Sequence, residues 1–196
     1  MAENYPQSRK LFSAPHKSGY YFSEDYKILC KSTPISKGAL PSYLKTCNPR
    51  DISMPPKLWL GWNMGSEADF FKYLDAHSPN SICYDDDDGQ RCPASFCNFS
   101  RSLRKRCGIS GANEALLEVA AVRNEHGEPT LALTVGCNQF GCLPDDCITK
   151  VTEYVQKGEA SWWLDIRSWH WQPGPDTDLG RRVQEGEFAV IVPQAH

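Results

Sequence analysis

Residues 57–74 read Lys57-Leu58-Trp59-Leu60-Gly61-Trp62-Asn63-Met64-Gly65-Ser66-Glu67-Ala68-Asp69-Phe70-Phe71-Lys72-Tyr73-Leu74. The first half alternates. Leu58, Leu60 and Trp62 share one face and Trp59 and Gly61 the other, which is the period of a strand. The second half changes period. Ser66 is a helix cap, Glu67 and Asp69 suit the positive end of a helix, and Phe70, Phe71 and Leu74 form an apolar stripe. Pro79 then ends the helix. A strand running directly into a helix, with no repeated strand–helix unit elsewhere, predicts an α+β fold.

Working outward, residues 78–97 read as a cysteine-bearing loop around Asp85-Asp86-Asp87-Asp88-Gly89. Phe99, Leu103 and Cys107 are spaced four apart and predict a short basic helix that stops at Gly108. Glu114–Val122 and Thr130–Val135 read as an antiparallel hairpin, with Leu131, Leu133 and Val135 turned toward a third helix. That helix is predicted from Pro144 to Lys157, with Ile148, Val151 and Val155 on its buried face. Ser161–Trp171 and Glu187–Val192 read as further strands. The expected body is a largely antiparallel or mixed sheet packed by about three helices, over residues 57–196. Residues 1–56 hold seven prolines and several tyrosines without periodicity. They read as an extended N-terminal arm packed on that body.

Length fits one domain, long enough to bury about 70% of the surface its unfolded chain exposes. The net charge is −3, which gives no reason to expect nucleic acid or an anionic membrane as partner. No apolar run approaches the ~20 residues of a spanning helix. The first 30 residues lack the pattern of an export or transit signal, so the expected location is cytoplasmic. A secreted chain read without its leader is the alternative, and the sequon Asn98-Phe99-Ser100 suits it.

The chain has nine cysteines, seven of them between Cys83 and Cys147. Buried thiols acting as small hydrophobes, a set of disulfides, and metal ligation each account for such density. For zinc, Cys92 and Cys97 form one hook and Cys137 and Cys142 another, together four thiolates. His126-Gly127-Glu128 followed by Cys137 and Cys142 has the ingredients of a zinc deaminase, in which Glu moves protons on metal-activated water. Here the triplet falls in a hairpin turn, where a polar surface loop is its ordinary role. A cysteine nucleophile with His170 or His77 as base is a further combination. The four aspartates read as a solvated loop, and Arg101, Arg104, Lys105 and Arg106 as a basic helix face open to phosphate or an acidic partner.

Four of the six tryptophans lie in Trp162–Trp171. Read as a strand, one face carries Trp163, Asp165, Arg167, Trp169 and Trp171. Indoles stack on planar rings and cations, while an acid and a base orient polar groups. The opposite face, with Leu164 and Ile166, reads as core. The expected function is a small soluble binding protein that holds a small molecule or a partner segment on this Trp/Arg face. The alternatives are a small thiol- or zinc-dependent enzyme and a disulfide-stabilised secreted effector or toxin.

Overall fold

The computed structural model describes residues 31–40, Leu44 and residues 57–166. Strand β2 (Leu58–Gly65) is central. It pairs antiparallel with β4 (Pro129–Cys137) on one side and with β6 (Ser161–Leu164) on the other. Outward from these, β3 (Val119–Arg123) pairs with β4, and β1 (Ile35–Ser36) with β6. A short β5 (Gly141–Cys142) also pairs with β4. All pairings are antiparallel. Helices α1 (Glu67–His77), α2 (Ala94–Cys107) and α3 (Asp145–Val155) pack on the sheet, giving the α+β architecture. Among the described residues, no helix is long and apolar enough to cross a membrane.

The start of α1 follows from local chemistry. Asp69 N donates to Ser66 Oγ and Ser66 N donates to Asp69 Oδ2, a reciprocal cap. The Ser66 hydroxyl, then Lys72, holds the Asp69 carboxyl below its ordinary range. The α1 stripe meets α2 through aromatic rings. Phe70 stacks on Phe96 at 4.7 Å and meets Phe99 edge-on at 5.7 Å. Leu58, Leu60, Trp62, Leu133 and Val135 complete this core from the sheet, and Ile148, Val151 and Val155 from α3. The hairpin side chains Leu133 and Val135 thus face the helical layer, with Leu131 packed half-buried against it.

The sheet is strongly curled. Its register shifts at Leu60/Gly61 and again at Asn63/Gly65, and such bulges bend a strand and raise its twist. Gly61 makes the curl sterically feasible, because a Cβ there would overlap the Leu133 carbonyl. After Leu164 the chain crosses the gap between the two ends of the sheet. Asp165 N donates to Lys57 O beside β2, while Ile166 N donates to Ala121 O on β3, and Val122 and Asp165 form a bridge. The concave face therefore has its own small core of Trp59, Trp163, Ala120, Val122, Ala132 and Cys137. Two indoles fill a space that short side chains on β3 and β4 leave open.

Several boundaries differ from the sequence reading. Residues 111–116 form a 3-10 turn rather than the start of a strand, and β3 begins at Val119. The Arg104 guanidinium donates to Leu117 O through Nε and Nη2, which anchors the chain after that turn. Helix α2 starts at Ala94, inside the stretch read as a loop. Backbone turns from Cys92 and Pro93 lead into it, with no side-chain oxygen as cap. Helix α3 ends at Val155 because Gln156 takes a left-handed conformation ahead of Gly158. Regular pairing of β6 ends at Leu164, and Ile166 is half-buried rather than core. Of the N-terminal arm, β1, Leu40 and Leu44 are integrated with the body. The rest of the arm and the strand read at Glu187–Val192 lie outside the described residues.

Two substitutions test this packing. Gly61→Ala should destabilise the protein by about 3 kcal/mol or more, the upper end for overpacking, because backbone rather than a side chain must move; urea unfolding reads the loss. Tyr73 presents the converse case. Its hydroxyl is buried without a hydrogen-bond partner among the described residues, and burial pushes its phenol up to about 12. Tyr73→Phe should cost nothing and should gain up to about 1 kcal/mol. Because the folded phenol holds its proton more tightly than the unfolded one, stability from this group falls as pH rises from about 10 toward 12. Absorbance titration at 295 nm should show a late phenolate that Tyr73→Phe removes.

Candidate functional site

Strand β2 outruns β6. Their pairing ends at Gly61 opposite Ser161, whereas β2 continues to Gly65. The connection from α3 passes the uncovered end of β2, and a cleft of about 260 Å3 opens there. Gly61, Trp62, Asn63 and Trp163 form its sheet side, and Lys157 and Glu159 its outer side. Both indoles are fixed. Trp163 Nε1 donates to Gly61 O at 3.0 Å, and Trp62 Nε1 donates to Gly158 O at 2.8 Å. Asn63 Oδ1 accepts from Gly65 N and from Thr130 Oγ1, which sets the plane of its amide. Lys157 and Glu159 are exposed. The cleft thus has fixed aromatic and amide walls and an exposed rim of opposite charges.

Trp163 is 8% exposed. The sequence places it on an open binding face, but the curl turns Trp163 inward, so little of the indole is open to the cleft. Asp165 lies at the other end of β6 and accepts from Trp59 Nε1 at 2.8 Å. The Lys57 ammonium stands 3.7 Å from the Trp59 ring centre and 5.7 Å from that of Phe140, which is 68% exposed at the β4–β5 turn. Arg167, Trp169, His170 and Trp171 follow in sequence and lie outside the described residues.

The two cysteine hooks sit on different elements. Cys92 lies two residues before α2 and Cys97 is in its first turn, while Cys137 ends β4 and Cys142 ends β5. No three His, Cys, Asp or Glu side chains among the described residues converge in a way that would hold a metal ion. His126 and Glu128 occupy an exposed turn, where their backbone N–H groups donate to Asn124 Oδ1. Burial pushes the thiols of Cys107, Cys137 and Cys142 up, away from the thiolate that a nucleophile needs. Cys142 is exposed as a residue, yet its sulfur covers Gly136, where a Cβ would lie 2.5 Å from Sγ; that contact accounts for the desolvation. The Asn98 sequon falls within α2, with Ser100 buried.

Sequence reasoning missed Asn63, Lys157 and Glu159. The charged pair carries no periodic signal, and Asn63 lies within an otherwise apolar strand. It also missed Asn138, whose Oδ1 accepts from Leu58 N and whose Nδ2 donates to Leu44 O. This buried amide joins β2, the end of β4 and the Leu44 segment.

Native-state alkylation should separate the described thiols. Exposed Cys97 should label early, and Cys137, with no exposure and a raised thiol, should label last. Mass mapping of a quenched time course checks the order. Early labelling of Cys137 would mean that the concave core opens. No family model, no curated protein and no solved structure matches this chain.

Proposed function

We propose that this chain is a small-molecule binding protein whose ligand lies in the cleft beside Trp163. The observation that carries the reading is the composition of the cleft: fixed indole and amide walls with Lys157 and Glu159 at the rim. Ligand sites typically run to roughly 300–1,000 Å3 with a few placed polar groups. At about 260 Å3, this one favours a compact ligand. Opposite charges at its rim favour a zwitterion, with its carboxylate toward Lys157 and its ammonium toward Glu159. A flat or apolar side group then lies along the edges of Trp62 and Trp163. A free amino acid with a ring or branched side chain has this chemistry. Raised thiols at Cys107, Cys137 and Cys142 weigh against a thiol enzyme working through those residues.

The test is a fluorescence and calorimetric titration of the intact chain with the free amino acids. A saturable signal for one or a few of them is expected. Lys157→Ala and Glu159→Ala should each weaken binding about tenfold, or about 1.4 kcal/mol. Both residues are exposed, so the melting temperature should hold. Absence of saturation across the panel, or binding indifferent to both substitutions, removes this reading.

A further inference from the structure

We infer that a second cavity, between the end of α1 and the outer face of α2, is a site for a small tetrahedral oxyanion of the phosphate class. This inference goes beyond the cleft and does not depend on it. The cavity measures about 240 Å3. Asn98, Ser102 and Arg106 line one side. They lie four residues apart and so share one helix face. His77, Ser78 and Ser81 line the other side, and no acidic side chain among the described residues joins them.

The donors are held in place. Ser78 N donates to Leu74 O as α1 ends, and Ser81 N donates back to Ser78 O in the following turn. This brings the two serine hydroxyls within 2.8 Å of each other. The Tyr154 hydroxyl donates to His77 O, and the Arg106 guanidinium lies 5.0 Å from the Tyr154 ring centre. One tyrosine thus contacts both the His77 backbone and the Arg106 side chain. Arg101 Nη1 donates to Asn98 Oδ1, leaving the amide NH2 as the donor end.

Two effects compete over charge. The C-terminal ends of α1 and α2 are nearby, and each helix end contributes about half a negative charge. The guanidinium carries a full positive charge and makes charge-assisted hydrogen bonds to oxyanions, whereas helix-end carbonyls are already engaged, Leu74 O by Ser78 N, His77 O by the Tyr154 hydroxyl and Arg104 O by Gly108 N. The positive side prevails. Below the usual ~300 Å3 of a ligand pocket, the cavity matches an anion or an anionic head group rather than a large molecule.

The experiment follows backbone amide shifts of the intact chain by 15N NMR. Inorganic phosphate is titrated at constant ionic strength against chloride, and glycerol phosphate is titrated in parallel. Saturable shifts confined to residues 77–81 and 98–106 are expected. Tighter binding of the ester than of the free anion would identify an organic phosphate as the ligand, and the reverse order would identify the free ion. Arg106→Gln should weaken binding at least about tenfold, whereas Lys105→Gln, the same charge change one residue away, should not. If Arg106→Gln fails to fold, Ser102→Asp places a carboxylate in the cavity and should abolish the shifts. Linear, unsaturating shifts, or equal weakening by Lys105→Gln, would overturn the inference, because either means general attraction to a basic helix.

Discussion

The contact between Gly61 and the backbone of Leu133 governs this fold. Any side chain at residue 61 would occupy the space of the Leu133 carbonyl. With that approach allowed, and with bulges on both sides of it, β2 and β4 bend together. The bend brings Asp165 and Ile166 across to β3 and gives the sheet a concave core as well as a helical one. A buried indole removes roughly 150–250 Å2 from water, worth on the order of 4–6 kcal/mol at about 25 cal/mol per Å2 before entropic costs. Trp59 and Trp163 therefore make the concave core a substantial contributor. They fit because Ala120, Ala132 and Val122 opposite them are small.

Packing accounts for part of the cysteine density. Cys137 fills the concave core, Cys107 lies in the helical core, and Cys142 closes over Gly136. Cys107 and Cys137 are buried, and a protonated thiol fills such positions as a small hydrophobe. Burial raises all three thiols, so the packing role and low nucleophilicity have one cause. Cys83 and Cys92 are a different case. They flank the Tyr84–Arg91 bridge, where Cys92 N donates to Cys83 O, and Ser95 Oγ lies 3.4 Å from Cys83 Sγ.

What the sequence made legible was period and punctuation. Ser66 and Asp69 announced α1 through cap chemistry that acts within a single turn. Leu131, Leu133 and Val135 announced a half-buried strand, since alternation survives whatever the sheet packs against. Curvature was not legible. Trp163 reads as a residue on an open face only if the sheet is flat, and the close approach at Gly61 is a long-range event that no local pattern encodes. The start of α2 was hidden for a related reason. Ala94 enters the helix through backbone turns from Cys92 and Pro93, so the usual oxygen-bearing cap residue is missing from the sequence.

Closing both faces of the sheet also determines where recognition can occur. A flat sheet with one free face would offer a broad aromatic platform, and the tryptophans would be its natural anchors. Here the helical layer covers one face and the curl encloses much of the other, so accessible polar groups gather where elements end. The cleft exists because β6 stops before β2 does, and the cavity proposed for an oxyanion because α1 stops against the side of α2. In both places a rigid wall is inherited from the core, while the charges stand on exposed residues that tolerate change. Substitutions at Lys157, Glu159 or Arg106 should therefore cost little stability, while Gly61, Trp59 and Trp163 remain tied to the curl.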